Sequence, residues 1–136
     1  MKILILGAGR VGSSLASTLS KQEYEVSIVD LNKDKLLRLQ EDYDLATEIG
    51  HASHPNTLER AGADQDTVLL AVTNSDECNI TSCQIAKSKF NVKKTICRLS
   101  DSSYLESLEA FGEKNIDIAI GPENEVTEHL VELIKH

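Results

Sequence analysis

The chain has 136 residues, 40% of them apolar, and 14 basic against 22 acidic side chains give it a net charge of −8. That size supports one domain with a sheet covered on both faces and leaves no room for a second lobe. The acid excess argues against nucleic acid or an anionic membrane as the main partner, and no apolar stretch reaches the roughly 18 residues that span a bilayer.

The chain runs directly into an apolar segment, Ile3-Leu4-Ile5-Leu6, so no signal peptide is expected and the first strand is predicted at Lys2–Leu6. Gly7-Ala8-Gly9-Arg10-Val11-Gly12 follows it. In that pattern Gly7 permits the tight turn, Gly9 lets backbone amides approach a pyrophosphate, and Gly12 lets the next helix pack on the strand. Val11, Leu15 and Leu19 mark the buried stripe of that helix, whose N-terminus faces the phosphates with unpaired N–H groups. Arg10 stands beside them, where a guanidinium can grip a phosphate in bidentate fashion. The second strand, Glu25–Asp30, ends on an acid 18 residues past Gly12, suited to accept hydrogen bonds from adenosine ribose hydroxyls. Each element alone is a weak signal; their order carries the dinucleotide reading. A 2′-phosphate beside Asp30 would meet a like charge with no cation at Leu31 or Asn32, which favours NAD over NADP, although Lys33 and Lys35 leave NADP open.

A third strand is predicted at Asp44–Ile49, ending at Gly50-His51-Ala52. His54 before Pro55 suits the start of a helix, and His51-x-x-His54 supplies two imidazoles without the third ligand that zinc needs, so no metal site is expected. The fourth strand, Thr67–Thr73, is apolar on both faces, as in a buried parallel sheet, and runs into Thr73-Asn74-Ser75-Asp76-Glu77. Ile80, Cys83, Ala86 and Phe90 share one face of the helix that follows. Thr95–Leu99 and Ile116–Ile120 complete the strands, with Arg98 near the end of the fifth. The last helix, Glu123–Lys135, places Val126, Leu130, Leu133 and Ile134 on one stripe suited to cover the sheet edge.

The resulting expectation is an α/β fold, a Rossmann-like, doubly wound, parallel six-stranded sheet in the order 3-2-1-4-5-6. Residues 1–120 form the nucleotide-binding body, and the helix of 121–136 belongs to the same domain. The ligand should lie beyond the carboxyl ends of strands 1 and 4, where the order reverses. Cys78, Cys83 and Cys97 make no even disulfide framework and point to a reducing compartment, with Cys83 and Cys97 as core residues. A hydride-transferring enzyme needs an acid–base group near the nicotinamide. His51 and His54 follow strand 3, while His129 and His136 lie on or beyond the last helix, so none is placed for that task.

GAGRVG at 7–12, GHASHP at 50–55, Ala61-Gly62-Ala63, VTNSDECN at 72–79, and Ile116-Asp117 with Pro122-Glu123 and Val126-Thr127 cover almost the whole chain. Together they resemble the nucleotide-binding N-terminal lobe of the TrkA family, the regulatory subunits of bacterial potassium uptake, within the larger group of domains that regulate potassium conductance. The resemblance implies that Gly7, Gly9, Arg10, Val11 and Gly12 contact phosphates and that Asp30 takes the adenosine ribose, with Asn32 at the same strand end. It implies that Gly50, His51 and Ala52 edge the adenine, that Thr73, Asn74, Asp76 and Glu77 face the rest of the nucleotide, and that Arg98 is a phosphate or inter-subunit contact. Such lobes bind NAD(H), and also ADP or ATP, and the resemblance implies that the C-terminal helix, as an alternative to covering its own sheet edge, crosses over to pack on a second subunit. The implied function is a non-enzymatic NAD(H)-binding sensor that gates a membrane potassium transporter subunit as a homodimer or higher oligomer. It would be cytoplasmic and peripheral to the inner membrane through that partner. Glu123 and Glu125 are open to a cation or to a plain helix-start role. An ADP/ATP sensor, a fragment of a small NAD-dependent oxidoreductase and an assembly module stapled by a permanent nucleotide stay as alternatives. TrkA subunits continue into a second lobe whereas this sequence stops at His136, so an isolated lobe is expected.

Overall fold

The computed structural model describes residues 1–111 and 114–135; His136 lies outside them. Six strands, β1 (Lys2–Leu6), β2 (Glu25–Asp30), β3 (Ala46–Ile49), β4 (Thr67–Ala71), β5 (Lys94–Arg98) and β6 (Ile118–Ile120), form one sheet in the order β3-β2-β1-β4-β5-β6. Every neighbouring pair is parallel. Between them run α1 (Arg10–Ser20), α2 (Lys33–Asp42), α3 (Pro55–Arg60), α4 (Asp76–Phe90) and α5 (Ser102–Phe111), and the chain finishes with α6 (Thr127–Lys135).

Strand alternation divides the core into two layers. Ile3, Ile5, Ile28, Val68, Leu70, Ile96 and Ile120 meet Val11, Leu15 and Leu19 of α1, Leu36 of α2, and Leu130 and Ile134 of α6. On the other face Leu4, Leu6, Val29, Leu69, Ala71 and Cys97 meet Leu58 of α3 and Cys83 and Ala86 of α4. Two covered faces explain why the strands read as continuous apolar runs rather than alternating ones. Cys83 and Cys97 are fully buried in that second layer.

The strand order is the predicted one, while several boundaries differ for identifiable reasons. The third strand begins at Ala46, not Asp44, because Tyr43 still caps α2 through its N–H to Leu39 O and two residues are spent reaching the edge. The fourth stops at Ala71 because the N–H of Thr73 goes to Asn79 Oδ1. Only three residues form the sixth; Asp117 ahead of it accepts the Thr95 N–H with its side chain at 2.8 Å. The C-terminal segment is not one helix from Glu123. A single 3-10 turn at Pro122–Asn124 precedes α6, Val126 between them is 56% exposed, and the buried stripe is Leu130, Val131 and Ile134. That stripe packs on the chain's own core, with Leu133 partly buried against it; Ser14 Oγ shares a hydrogen bond with Thr127 Oγ1, and Lys94 Nζ donates to Leu133 O.

Candidate functional site

The site forms where the order reverses, at the carboxyl ends of β1 and β4. Gly7 leaves β1 with φ +106°, and a Cβ there would lie 3.0 Å from Thr73 Cα, so both conformation and space demand glycine. Gly12 sits under the same turn, where a Cβ would fall 1.7 Å from the Gly7 carbonyl oxygen. Gly9 is different: nothing lies within 4 Å of the position a Cβ would take. As the N-cap of α1 it contributes no capping side chain, and with Ala8, Arg10 and Ser13 it borders an open hollow at the start of that helix, where first-turn amides lack intrahelical partners. Val11 is buried beneath the turn rather than facing the cleft.

Asp30 is oriented by its neighbours. Its Oδ2 accepts the Ala8 N–H at 2.7 Å and its Oδ1 the Asn32 N–H at 2.7 Å. The glycine turn thus holds the carboxylate at the β2 tip, and each oxygen retains a lone pair for a ribose hydroxyl. The Asn32 side chain instead caps α2 by accepting from Lys35 N–H at 3.2 Å.

A cleft of about 550 Å³ is lined by Gly7, Asp30, Gly50, His51, Ala52, Thr73, Asn74 and Glu77, all foreseen from sequence, and also by Val29, Leu31, Ser53, Ser75, Cys78 and Thr81. Gly50, at the end of β3, is set by its N–H donating to Asp30 O, and Ala52 by its carbonyl accepting from the buried Ser82 hydroxyl. The His51 and His54 rings stack with centroids 4.7 Å apart instead of converging on a point. His54 is the N-cap of α3 with Pro55 in the first turn, but its side chain makes no capping bond. Hydrogen bonds from its own backbone N–H, the Tyr104 hydroxyl and the Ser75 hydroxyl hold the Glu77 carboxyl below the usual carboxylate range, so it is anionic at neutral pH.

The structure does not bring every foreseen residue into this cleft. Asp76 spends both carboxylate oxygens on the N–H groups of Ser100 and Asp101, each at 2.9 Å, and so braces the loop after β5. Arg10 lies on the other side of the glycine turn, in a hollow shared with Ser13, Lys35 and Arg38. Arg98 donates through Nη1 to Thr73 O at 3.2 Å and through Nε to Glu125 Oε1 at 2.5 Å, while Arg10 Nη2 donates to Glu125 Oε2 at 3.1 Å.

Sequence reasoning gave Asn79 and Glu125 no such role. Asn79 is fully buried; its Oδ1 accepts from the Thr73 N–H and hydroxyl, and its Nδ2 donates to Thr73 O and Arg98 O. The legible signal was an asparagine on the buried side of a helix, where a polar group stays only if satisfied. Asn79→Leu leaves the Thr73 amide unpaired and takes a donor away from the Thr73 and Arg98 carbonyls, and is expected to destabilise the domain by about 3 kcal/mol. Urea unfolding checks this, and an unchanged midpoint contradicts it.

The model of the TrkA-N domain family matches residues 3–122. The Trk system potassium uptake protein TrkA of Vibrio alginolyticus is 44% identical over 139 residues, a match that takes in 100% of this chain and 30% of that protein. The chain thus spans about a third of the length of this relative. The TrkA-N domain of the Escherichia coli inner membrane protein ybaL superposes with a TM-score of 0.77 at 18% identity, covering 98% of this chain and 96% of that one. The GsuK channel bound to NAD superposes with a TM-score of 0.68 at 19% identity, covering 88% of this chain and 21% of that one. These two likenesses are of fold; the family match rests on sequence along most of the chain. With a glycine turn at the switch point of the sheet and Asp30 held beside it, the chain belongs to the TrkA-N domain family.

Proposed function

We propose that this chain is a nucleotide-binding regulatory domain of a potassium uptake system and that NAD(H) is its ligand. The observation that carries this reading is the pairing of an open Gly9 with an Asp30 carboxylate held at 2.7 Å from the Ala8 amide. The first gives a diphosphate a place over the α1 N-terminus, and the second gives a ribose its acceptor. Gly50, His51 and Ala52 border the adenine end, and Thr73, Asn74 and Glu77 border the far end. The NAD held by the GsuK channel and the potassium-uptake role of the 44% identical relative support this choice.

The domain binds and reports rather than reacts, because the side chains at the far end hold one another. Among the described residues of the cleft, Glu77 is tied to Tyr104 and Ser75, and the hydroxyl of Thr73 to Asn79, which suits them to hold a ligand rather than to shuttle its protons. Regulation then follows from unequal affinity, since a ligand shifts an equilibrium only by as much as it binds one state better than the other. A membrane potassium transporter subunit, reached from the cytoplasmic side through a homodimer or larger ring, is the proposed partner. An ADP/ATP sensor is the second reading, favoured by the two arginines at Glu125.

Asp30→Ala is expected to weaken NADH, ADP and ATP by about tenfold or more and to narrow the preference for NADH over NADPH, because all share the adenosine ribose. Calorimetric titration of the folded variant tests this. Affinities equal to those of the unaltered chain would remove Asp30 from the site.

A further inference from the structure

His51 and His54 bracket the turn between β3 and α3, and their rings stack with planes 21° from parallel. His51 borders the cleft and also a neighbouring hollow of about 600 Å³, which His54 shares with Asn56, Arg60 and Lys89. His54 does not line the cleft, so anything it does for a ligand there passes through His51. Its backbone is a fixed base for the ring. Pro55 biases the residue before it toward extended conformation, here φ −89° and ψ 127°. The His54 N–H donates to His51 O at 3.1 Å, and its carbonyl accepts from the N–H groups of the buried Thr57 and Leu58 at 3.0 and 3.2 Å. At an N-cap a shorter polar side chain would bond the first amides; the imidazole makes no such bond and is given over to the stack.

His51 follows Gly50 in the loop and is exposed, so without the neighbouring ring its side chain would spread over other rotamers. We propose that His54 is a positioning residue that holds the His51 ring in one orientation, as a flat wall for the adenine of a bound nucleotide. The inference rests on the nucleotide reading of the cleft and deepens it. A base stacks on any aromatic ring offered at the right angle, and a wall already in place binds more tightly than one drawn from several rotamers, in proportion to the competent fraction. Removing the His54 ring therefore costs a nucleotide about three- to fivefold in affinity.

The test is calorimetric titration of NADH into the unaltered chain, His51→Ala, His54→Ala, His54→Phe and the double variant His51→Ala with His54→Ala, each checked by urea unfolding. His51→Ala is expected to weaken NADH about tenfold and His54→Ala about three- to fivefold, while His54→Phe, which keeps a flat ring, stays within about 1.5-fold of the unaltered chain. In the double variant the loss equals that of His51→Ala alone, because His54 then has nothing to position. The free protein carries its own signature: the ring-proton NMR signals of His51 shift when His54 becomes alanine. A His54→Ala protein that binds within about 1.5-fold of the unaltered chain, a loss that phenylalanine does not restore, losses that multiply in the double variant, or unmoved His51 signals each overturn the inference. Should His54→Ala not fold, His54→Leu, which fills the space without a flat ring, takes its place. An unaltered chain that does not bind NADH overturns the nucleotide reading and this inference with it, whereas normal binding that is indifferent to His54 overturns the inference alone.

Discussion

Gly12→Ala is expected to destabilise the domain by about 4 kcal/mol or more, lowering the unfolding midpoint by roughly 15 °C. The added methyl would sit 1.7 Å from the Gly7 carbonyl oxygen and 2.8 Å from its carbonyl carbon. Neither atom can retreat. The Gly7 N–H is bonded to Val29 O at 2.8 Å, and the adjoining Leu6 carbonyl accepts from Val72 N–H at 3.0 Å, so the turn is fastened to both neighbouring strands. The helix must move instead, and α1 can lift only by withdrawing Val11, Leu15 and Leu19 from the core. Cavity formation and exposure on that scale belong to the costliest class of single substitutions. Thermal unfolding measures the effect, and a midpoint within a degree or two of the unaltered chain would contradict it.

The same glycine turn shows how far the fold was legible in sequence. The glycines, the apolar runs and Asp30 are local signals, and the physics behind each acts over a few residues, so the strand order and the location of the switch point followed directly. The strand ends were less visible because long-range side-chain bonds set them. Thr73 leaves the ladder because Asn79 takes its amide, and Asp117 stands in for a backbone acceptor ahead of β6. The expected single C-terminal helix is interrupted near Glu125, whose partners lie 115 and 27 residues away in sequence. No local pattern encodes such a clamp. Asp76 is the corresponding case within the site. An acid after β4 reads as cleft-facing, yet the amides of Ser100 and Asp101 draw it toward β5. Asn32 reads as a ribose neighbour and serves as a helix cap.

Gly9→Val is expected to have the opposite profile to Gly12→Ala, with a fold kept and a ligand lost. The backbone at Gly9, φ −78° and ψ −160°, is open to any residue, and nothing lies within 4 Å of the new Cβ. Replacing glycine at an N-cap with a β-branched residue costs about 1 kcal/mol, so the protein stays folded. The two γ-methyls, however, fill the space over the first amides of α1, where the diphosphate of the proposed ligand would be held. NADH affinity is expected to fall more than about 100-fold, since several charge-assisted hydrogen bonds are blocked together. Calorimetry on the variant, paired with its unfolding curve, separates the two effects. Unaltered NADH affinity in a folded Gly9→Val protein would place the ligand elsewhere.

The contrast between these neighbours is informative because both belong to one motif. Gly12 is glycine for the sake of packing, and Gly9 has no packing reason to be glycine. A residue kept small against empty space points to something outside the chain that fills it.

The most direct test of the nucleotide cleft is amide mapping by NMR of the isotope-labelled chain during an NADH titration. The account predicts that the amides of Ala8, Gly9 and Arg10, of Leu31 and Asn32, of His51 and Ala52, and of Thr73 and Asn74 shift together along one saturating curve. Shifts confined to other surfaces, or none at a large molar excess of NADH, would contradict it.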